Sequence, residues 1–266
     1  FTAGYPLLQI ALLEAAIWLP LALLGVLEAT RDPAHLRWRW LWLAGLALGL
    51  SWLAGHPQTS FFSTYLLVAY LAYPLFTQSG PARGQQLRRL IGGAVLLGAV
   101  TLGAAAVTLL PGFEYLLHTT RAGFGFDDNA NGFPIRDIIQ LVVPGIVSTW
   151  SPLYVGFVGL ALALTALARR LPQALFWGVV ALIGLLWSFG ENSAFFAAIY
   201  NLLPGLRFFR GQERAAFLVM VSLATLAGLG AAALAGRSSA IIRAGVERWT
   251  WLLRRVFALC AIFRAL

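Results

Sequence analysis

The sequence predicts an all-α fold, a polytopic transmembrane helical bundle of about seven spans whose outer-face loops carry short interfacial helices. Two observations predict it. Of the 266 residues, 60% are hydrophobic and only 11% are charged, whereas about a quarter of the residues of a soluble domain are charged. The chain also repeats apolar runs near the ~20 residues that a membrane helix needs, separated by short arginine-rich segments.

The first predicted span contains Pro20, which we expect to kink it. The apolar stretch from Trp40 to Phe76 is too long for one span, so we predict a tight helical hairpin that turns at the segment 55–58, Gly-His-Pro-Gln. Small residues spaced four apart, such as Gly45 and Gly49, predict close helix contacts. The predicted spans of this single transmembrane domain (1–266) lie near 5–27, 40–54, 59–77, 90–110, 153–168, 174–189 and 215–235. Small residues spaced four apart also occur in the series Ala224, Gly228, Ala232 and Gly236.

Arginine placement predicts the orientation. All 19 basic residues are arginine; one side of the predicted bundle holds thirteen of them, the other five, and Arg264 is unassigned. By the positive-inside rule the richer side is cytoplasmic, which explains the net charge of +9 without a nucleic-acid partner. The loops 111–152 and 190–214 and the hairpin tip then share the outer face.

The ends of the chain carry two further predictions. The start at Phe1 and the stop within an apolar stretch are typical of an internal fragment of a longer protein. From Trp249, apolar residues at helical spacing indicate either a helix on the inner membrane surface or the beginning of another span. The single cysteine, Cys260, excludes an intrachain disulfide.

The loop 111–152 is predicted to form a folded cap, because it combines turn-forming residues with aromatic ones. Within it, Asp127-Asp128-Asn129 can bind a divalent cation through oxygen ligands or form a turn with solvated acids. No cofactor is otherwise indicated. Glu114 is a candidate general base or ligand, or a favourable charge in the first turn of a helix. Glu14, inside the first span, is a functional candidate or a hydrogen-bonded structural glutamate.

Two groups of outer-face residues are predicted to bind substrate. His56 and Gln58 in the hairpin turn can hydrogen-bond a phosphate or sugar, or satisfy the carbonyls of the turn itself. Arg207, Arg210 and Arg214 oppose the positive-inside bias and therefore need another explanation. If this segment is helical, Arg210 and Arg214 share a face and can clamp a phosphate, or Arg210 can pair with Glu213.

The order of four short motifs resembles that of the bacterial YfhO-type membrane protein family over nearly the whole chain. The motifs are Ala16-Ile17-Trp18-Leu19-Pro20, Leu53-Ala54-Gly55-His56-Pro57-Gln58, Ser151-Pro152-Leu153-Tyr154-Val155-Gly156, and Phe209-Arg210 with Arg214. Family members tend to have a proline between the arginines, where this chain has Gly211 and Gln212.

The resemblance implies a glycosyltransferase of the GT-C architecture in the bacterial cytoplasmic membrane. Such enzymes transfer sugar from a polyprenyl-phosphate donor to a cell-surface polymer on the outer face. Their catalytic acid generally lies in a first outer loop, and this chain is expected to begin after that loop, so the catalytic residue stays unknown. His56, Gln58, Glu114, Arg207, Arg210 and Arg214 are the predicted substrate-binding residues. The alternatives are a transporter or flippase of lipid-linked precursors that uses Glu14, and a noncatalytic cell-envelope scaffold.

Overall fold

A computed structural model describes residues 10–32, 35–77, 83–148 and 151–235, and these residues form helices and no strand. The predicted helix from Trp249 and Cys260 lie outside this part of the chain. The α-helices are α1 (Ile10–Ala16), α2 (Leu19–Ala29), α3 (Trp38–Leu53), α4 (Pro57–Ala72), α5 (Pro74–Thr77), α6 (Arg83–Leu117), α7 (Phe126–Asn129), α8 (Phe157–Ala168), α9 (Ala174–Ser188), α10 (Ala194–Tyr200) and α11 (Ala216–Leu234).

Four segments of the described chain are long and apolar enough to cross a membrane. They are Ile10–Ala29, Pro57–Thr77, Gly84–Leu117 and Gln212–Leu234. The other three predicted spans correspond to α3, α8 and α9, which have 16, 12 and 15 residues. At 1.5 Å per residue α8 is only about 18 Å long, against a hydrocarbon core of about 30 Å. The apolar helices are those of a multi-pass membrane protein, and the count of seven spans stays a prediction.

The described helices pack as two groups. In the first, α3 lies between α2 and α6, and in the second, α11 packs against α8 and α9. Glycines permit the closest approaches: a Cβ at Gly45 would lie 2.8 Å from Val100 of α6, and one at Gly49 would lie 2.6 Å from Ala104. In α11 the close approach is at Gly230, which meets the Leu162 carbonyl of α8. The predicted contact residue Gly228 has no such neighbour, because α8 packs against the other face of α11.

The helix boundaries follow local chemistry. The first apolar segment breaks at Ile17 and Trp18, next to Pro20, as the kink prediction requires. α3 ends at Leu53 and α4 begins at Pro57, so the chain reverses within the predicted turn, where Gly55 has a φ of 85°. Pro at the first position of a helix removes only an N–H that has no partner within the helix.

The helix α6 runs through Pro111 to Leu117, whereas the sequence predicts a loop from residue 111. Proline inside a helix removes the hydrogen bond to the carbonyl four residues before it, here that of Val107. Pro111 and Val107 both lie on the exposed side of α6, so the lost bond does not disturb a packed contact. The loop therefore begins after Leu117, and Glu114 belongs to the helix.

At one end of the bundle a buried carboxylate connects α2 to α3. Glu28 is 2% exposed and accepts hydrogen bonds from Arg31 at 3.2 Å and Arg37 at 3.4 Å. Two arginine partners compensate the loss of hydration that burial imposes on a carboxylate. Some arginines of this connection, which the sequence assigns to orientation, thus also have a structural role.

The opposite end carries the two long polar segments, which fold onto each other as a cap. We define the cap as residues 118–148 and 189–215 of the described chain. Its short helical turns include α7, α10 and the 3₁₀ helices Thr120–Gly123, Ile135–Leu141, Gly190–Asn192, Leu206–Phe208 and Gln212–Ala215. The tip of the α3–α4 hairpin lies at this same end, because Gln58 contacts Gly211.

Candidate functional site

Backbone hydrogen bonds join the two segments of the cap. The Phe133 amide donates to the Ser188 carbonyl at 2.8 Å, and the Glu191 amide donates to Ala130 at 2.7 Å. Gly132 and Gly190 lie where the two backbones meet, since a Cβ on either would overlap main-chain atoms of the other segment. The cap is therefore a folded unit built from residues about 60 positions apart in the chain.

Gln212 is the central side chain of this junction and is fully buried. Its Nε2 donates to the Asn129 carbonyl and to the Phe209 carbonyl, both at 2.9 Å, and its Oε1 accepts from Trp187 Nε1 at 2.8 Å. Its backbone amide donates to Asn131. One amide group thus links α9, the loop after α6 and residues 206–214, which we call the arginine segment.

Gln58 connects the hairpin tip to the arginine segment. It is 4% exposed and lies in the first turn of α4. Its Nε2 donates to the Gly211 carbonyl at 3.2 Å, and its Oε1 accepts from Arg214 Nη1 at 2.8 Å. Gly211 has a φ of 73°, a left-handed conformation that favours glycine and that turns Arg214 towards Gln58.

Arg214 has unused hydrogen-bonding capacity. Its Nη1 also donates to the Arg210 carbonyl at 3.3 Å, while its buried Nε has no hydrogen-bond partner in the described part of the chain. The described part of the chain offers Arg214 no salt bridge within 4.0 Å. Arg214 lies in the 3₁₀ turn Gln212–Ala215, which leads directly into α11 at Ala216.

His56 adds a neutral donor beside this cation. Burial and then the charge of Arg214 lower the pKa of His56 from 6.5 to about 4. The ring is therefore neutral at pH 7, and its Nδ1 accepts from the Thr59 amide at 3.3 Å, which caps α4. A neutral imidazole that accepts at Nδ1 carries its proton on Nε2. That N–H is a hydrogen-bond donor at a site next to Arg214.

Arg207 and Arg210 do not share a helix face with Arg214, contrary to the sequence-based expectation for Arg210. The segment is not a continuous helix: Phe209, Arg210 and Gly211 separate two 3₁₀ turns, because Gly211 is left-handed. Arg210 is exposed, and it meets Arg214 through its carbonyl rather than across a shared helix face. Arg207 is exposed and its guanidinium lies 5.0 Å from the ring centre of Phe208. No ion pair of Arg210 with Glu213 occurs among the described side chains.

The remaining candidates do not join this group in any described contact. Glu114 is exposed in the last turn of α6, so the favourable first-turn role does not apply. Glu14 is exposed on α1. Asp128 accepts from the Gly125 amide at 2.9 Å, and Asn129 Nδ2 donates to the Arg207 carbonyl at 2.9 Å. These bonds support the turn interpretation of Asp127-Asp128-Asn129. The described residues contain no group of three or more histidine, cysteine or acidic side chains able to hold a metal ion.

The sequence did not indicate a functional role for two buried polar residues of the cap, Gln212 and Asp137. Gln212 fills a gap between arginines in the motif, and Asp137 is one of four acids in a loop. Both are completely buried in the structure. The one available signal is that Asp137 and Gln140 are spaced three apart in the run Ile-Arg-Asp-Ile-Ile-Gln-Leu at 135–141, whose other residues apart from Arg136 are aliphatic.

Comparisons with known proteins add no relative: no family model, no curated protein and no solved structure matches this chain.

Proposed function

We propose that the chain is part of a membrane glycosyltransferase that takes sugar from a polyprenyl-phosphate donor and transfers it to a cell-surface acceptor. The reaction takes place on the outer face of the bacterial cytoplasmic membrane. Arg214, Gln58 and His56 hold the phosphate of the donor, and Arg210 and Arg207 contribute longer-range positive charge from the exposed surface. These residues bind the donor, and none of them is assigned as the catalytic acid.

The supporting observation is the state of Arg214. Its guanidinium bonds only to an amide and a carbonyl oxygen among the described residues, and its buried Nε has no partner. Phosphate oxygens accept charge-assisted hydrogen bonds from a guanidinium, and these are about twice as strong as bonds between neutral groups. The neutral His56 Nε2–H adds a donor of the same polarity. The transferase chemistry itself rests on the YfhO-type resemblance of the motifs.

The test uses the full-length protein in nanodiscs and a polyprenyl-phosphate hexose as donor. Arg214→Gln removes the charge and keeps a polar side chain of similar length, so we expect affinity for the lipid phosphate and transfer to fall about 10- to 100-fold. Arg136→Gln changes an exposed arginine of the same cap and serves as the matched control. Equal binding and turnover in the Arg214 variant and the wild type would overturn the phosphate assignment.

The transporter or flippase predicted as the alternative has no specific support in the described contacts. Glu14, on which it depends, is exposed on α1 and makes no described hydrogen bond or ion pair. Lipid phosphate that binds at Arg214 and crosses the membrane without loss of its sugar would favour that alternative. A noncatalytic scaffold predicts no binding of lipid-linked sugar.

A further inference from the structure

Asp137 and Gln140 occupy one face of a 3₁₀ helix, Ile135–Leu141. A 3₁₀ helix has three residues per turn, so side chains three apart lie one above the other. Asp137 is 0% exposed and Gln140 is 1% exposed. A pair of polar side chains therefore points into the protein from the same short element.

The opposite face of this segment is aliphatic and exposed, which reverses the usual arrangement of a surface helix. The exposed aliphatic residues are Ile135, Ile138, Ile139, Val142, Val143 and Ile146.

The buried pair is largely without partners. Among the described residues, neither carboxylate oxygen of Asp137 has a hydrogen-bond partner and neither does Gln140 Nε2, while Gln140 Oε1 accepts from the Gly145 amide at 2.9 Å. The two side chains do not bond each other. An unpaired carboxylate is among the least favourable groups to bury, so its presence needs an explanation beyond packing.

We propose that Asp137 and Gln140 bind the hydroxyl groups of the sugar carried by the lipid phosphate. The inference rests on the proposed function and adds the sugar subsite to it. Two carboxylate oxygens accept from two hydroxyl groups, and the amide N–H donates to a third sugar oxygen. A metal ion fits less well, because the described residues offer no cluster of three ligands.

One backbone hydrogen bond ties the segment that carries Asp137 to the segment that carries Arg214. Gln212, two residues before Arg214, donates from its amide to the Asn131 carbonyl at 2.6 Å. Asn131 precedes Asp137 by six positions, so even a fully extended chain separates their Cα atoms by roughly 20 Å at most. Because Asp137 and Gln140 are closed to solvent, sugar binding requires the turn that carries them to move.

The experiment compares two probes on the full-length protein in nanodiscs. One is undecaprenyl phosphate, and the other is the same lipid phosphate bearing one hexose, tested in turn with glucose, mannose, galactose and N-acetylglucosamine. We expect Asp137→Asn to lower the affinity for the hexose-bearing probe at least about tenfold and to leave the affinity for the bare lipid phosphate unchanged. Gln140→Leu is expected to do the same to a smaller degree, and Asp127→Asn, at an exposed acid of the cap, is the control.

The outcomes separate the two proposals. Arg214→Gln is expected to lower the affinity for both probes. Wild-type protein that binds neither probe would contradict the proposed function itself. If bare lipid phosphate binds and depends on Arg214 while Asp137→Asn changes neither or both affinities, the sugar subsite is wrong and the phosphate site stands. A clear fall in the thermal unfolding midpoint of Asp137→Asn would assign the carboxylate a structural role and also overturn the subsite.

Discussion

Gln212 and Asp137 are both completely buried polar side chains of the cap, yet their surroundings are opposite. Gln212 makes three side-chain hydrogen bonds, to Trp187, Asn129 and Phe209, whereas the carboxylate of Asp137 makes none with the described residues. A satisfied buried polar group stabilises one arrangement of its neighbours, and an unsatisfied one lowers the stability of the folded state. We infer that Gln212 assembles the cap and that Asp137 is retained for a ligand.

The largest expected effect is that of Gln212→Leu. The substitution leaves Trp187 Nε1 and the carbonyls of Asn129 and Phe209 without their bonds, at about 1–3 kcal/mol for each buried unsatisfied group. We expect the cap to detach from α9, with a loss of several kcal/mol in the free energy of unfolding in detergent. Gln85→Leu, at an exposed position of α6, is the control, and an equal loss there would contradict the role of Gln212.

Asp137→Leu is expected to act in the opposite direction. Among the described residues the buried carboxylate has no partner, so its removal removes a desolvation penalty and we expect the folded state to become more stable. The thermal unfolding midpoint of the purified protein is the measurement. Asp127→Leu, which changes an exposed acid of the same cap, should shift it little. Marked destabilisation by Asp137→Leu would remove the contrast with Gln212.

Gly211→Ala tests whether the junction depends on its backbone. Gly211 has a φ of 73°, and a Cβ there would lie 2.8 Å from Glu213 Oε1. We expect a loss of about 1–2 kcal/mol in the free energy of unfolding, the usual penalty for a left-handed residue with a side chain. In contrast, Gly112→Ala within the helix α6 meets no atom within 4 Å and should stabilise by up to about 1 kcal/mol.

His56 is an intermediate case, because it is partly buried and its Nδ1 bonds the amide and the hydroxyl of Thr59. Its pKa is about 4 in the folded protein against 6.5 for the free side chain, so the unfolded state binds the proton more readily. Stability from this group is complete above pH 6.5 and is lost as the pH falls towards 4.

The variant His56→Asn keeps a side-chain oxygen for the Thr59 amide and cannot titrate. Its unfolding midpoint should therefore depend less on pH between 7 and 4 than that of the wild type. His118→Asn, at an exposed histidine, is the matched control. Identical pH profiles for the His56 variant and the wild type would contradict the buried, neutral state of this ring.

Local sequence rules predict much of the fold. The hairpin turn at Gly55 and Pro57 and the kink near Pro20 follow from backbone chemistry, and the structure shows both. The extension of α6 through Pro111 does not follow from it, because an exposed position tolerates the missing hydrogen bond. The count of seven spans stays a prediction: α8 is a helix, but its 12 residues are fewer than a membrane crossing needs.

The candidate site was predictable only in part. The departure from the positive-inside bias indicated Arg214, and Gln58 was a candidate because the hairpin turn itself does not require an amide side chain. In the structure Arg214 Nη1 donates to Gln58 Oε1 at 2.8 Å. The roles of Gln212 and Asp137 depend on segments about 60 to 80 residues apart that meet in the cap. Burial of a polar side chain is a tertiary property, so local sequence pattern did not separate them from ordinary loop residues.

The central claim is that Arg214 and His56 receive the phosphate of a lipid-linked substrate. The most direct measurement is an experimental structure of the full-length protein in nanodiscs with undecaprenyl phosphate. We predict phosphate oxygens about 3 Å from Arg214 Nε and His56 Nε2. A phosphate bound away from the cap, or a carboxylate of the protein paired with Arg214, would contradict the claim.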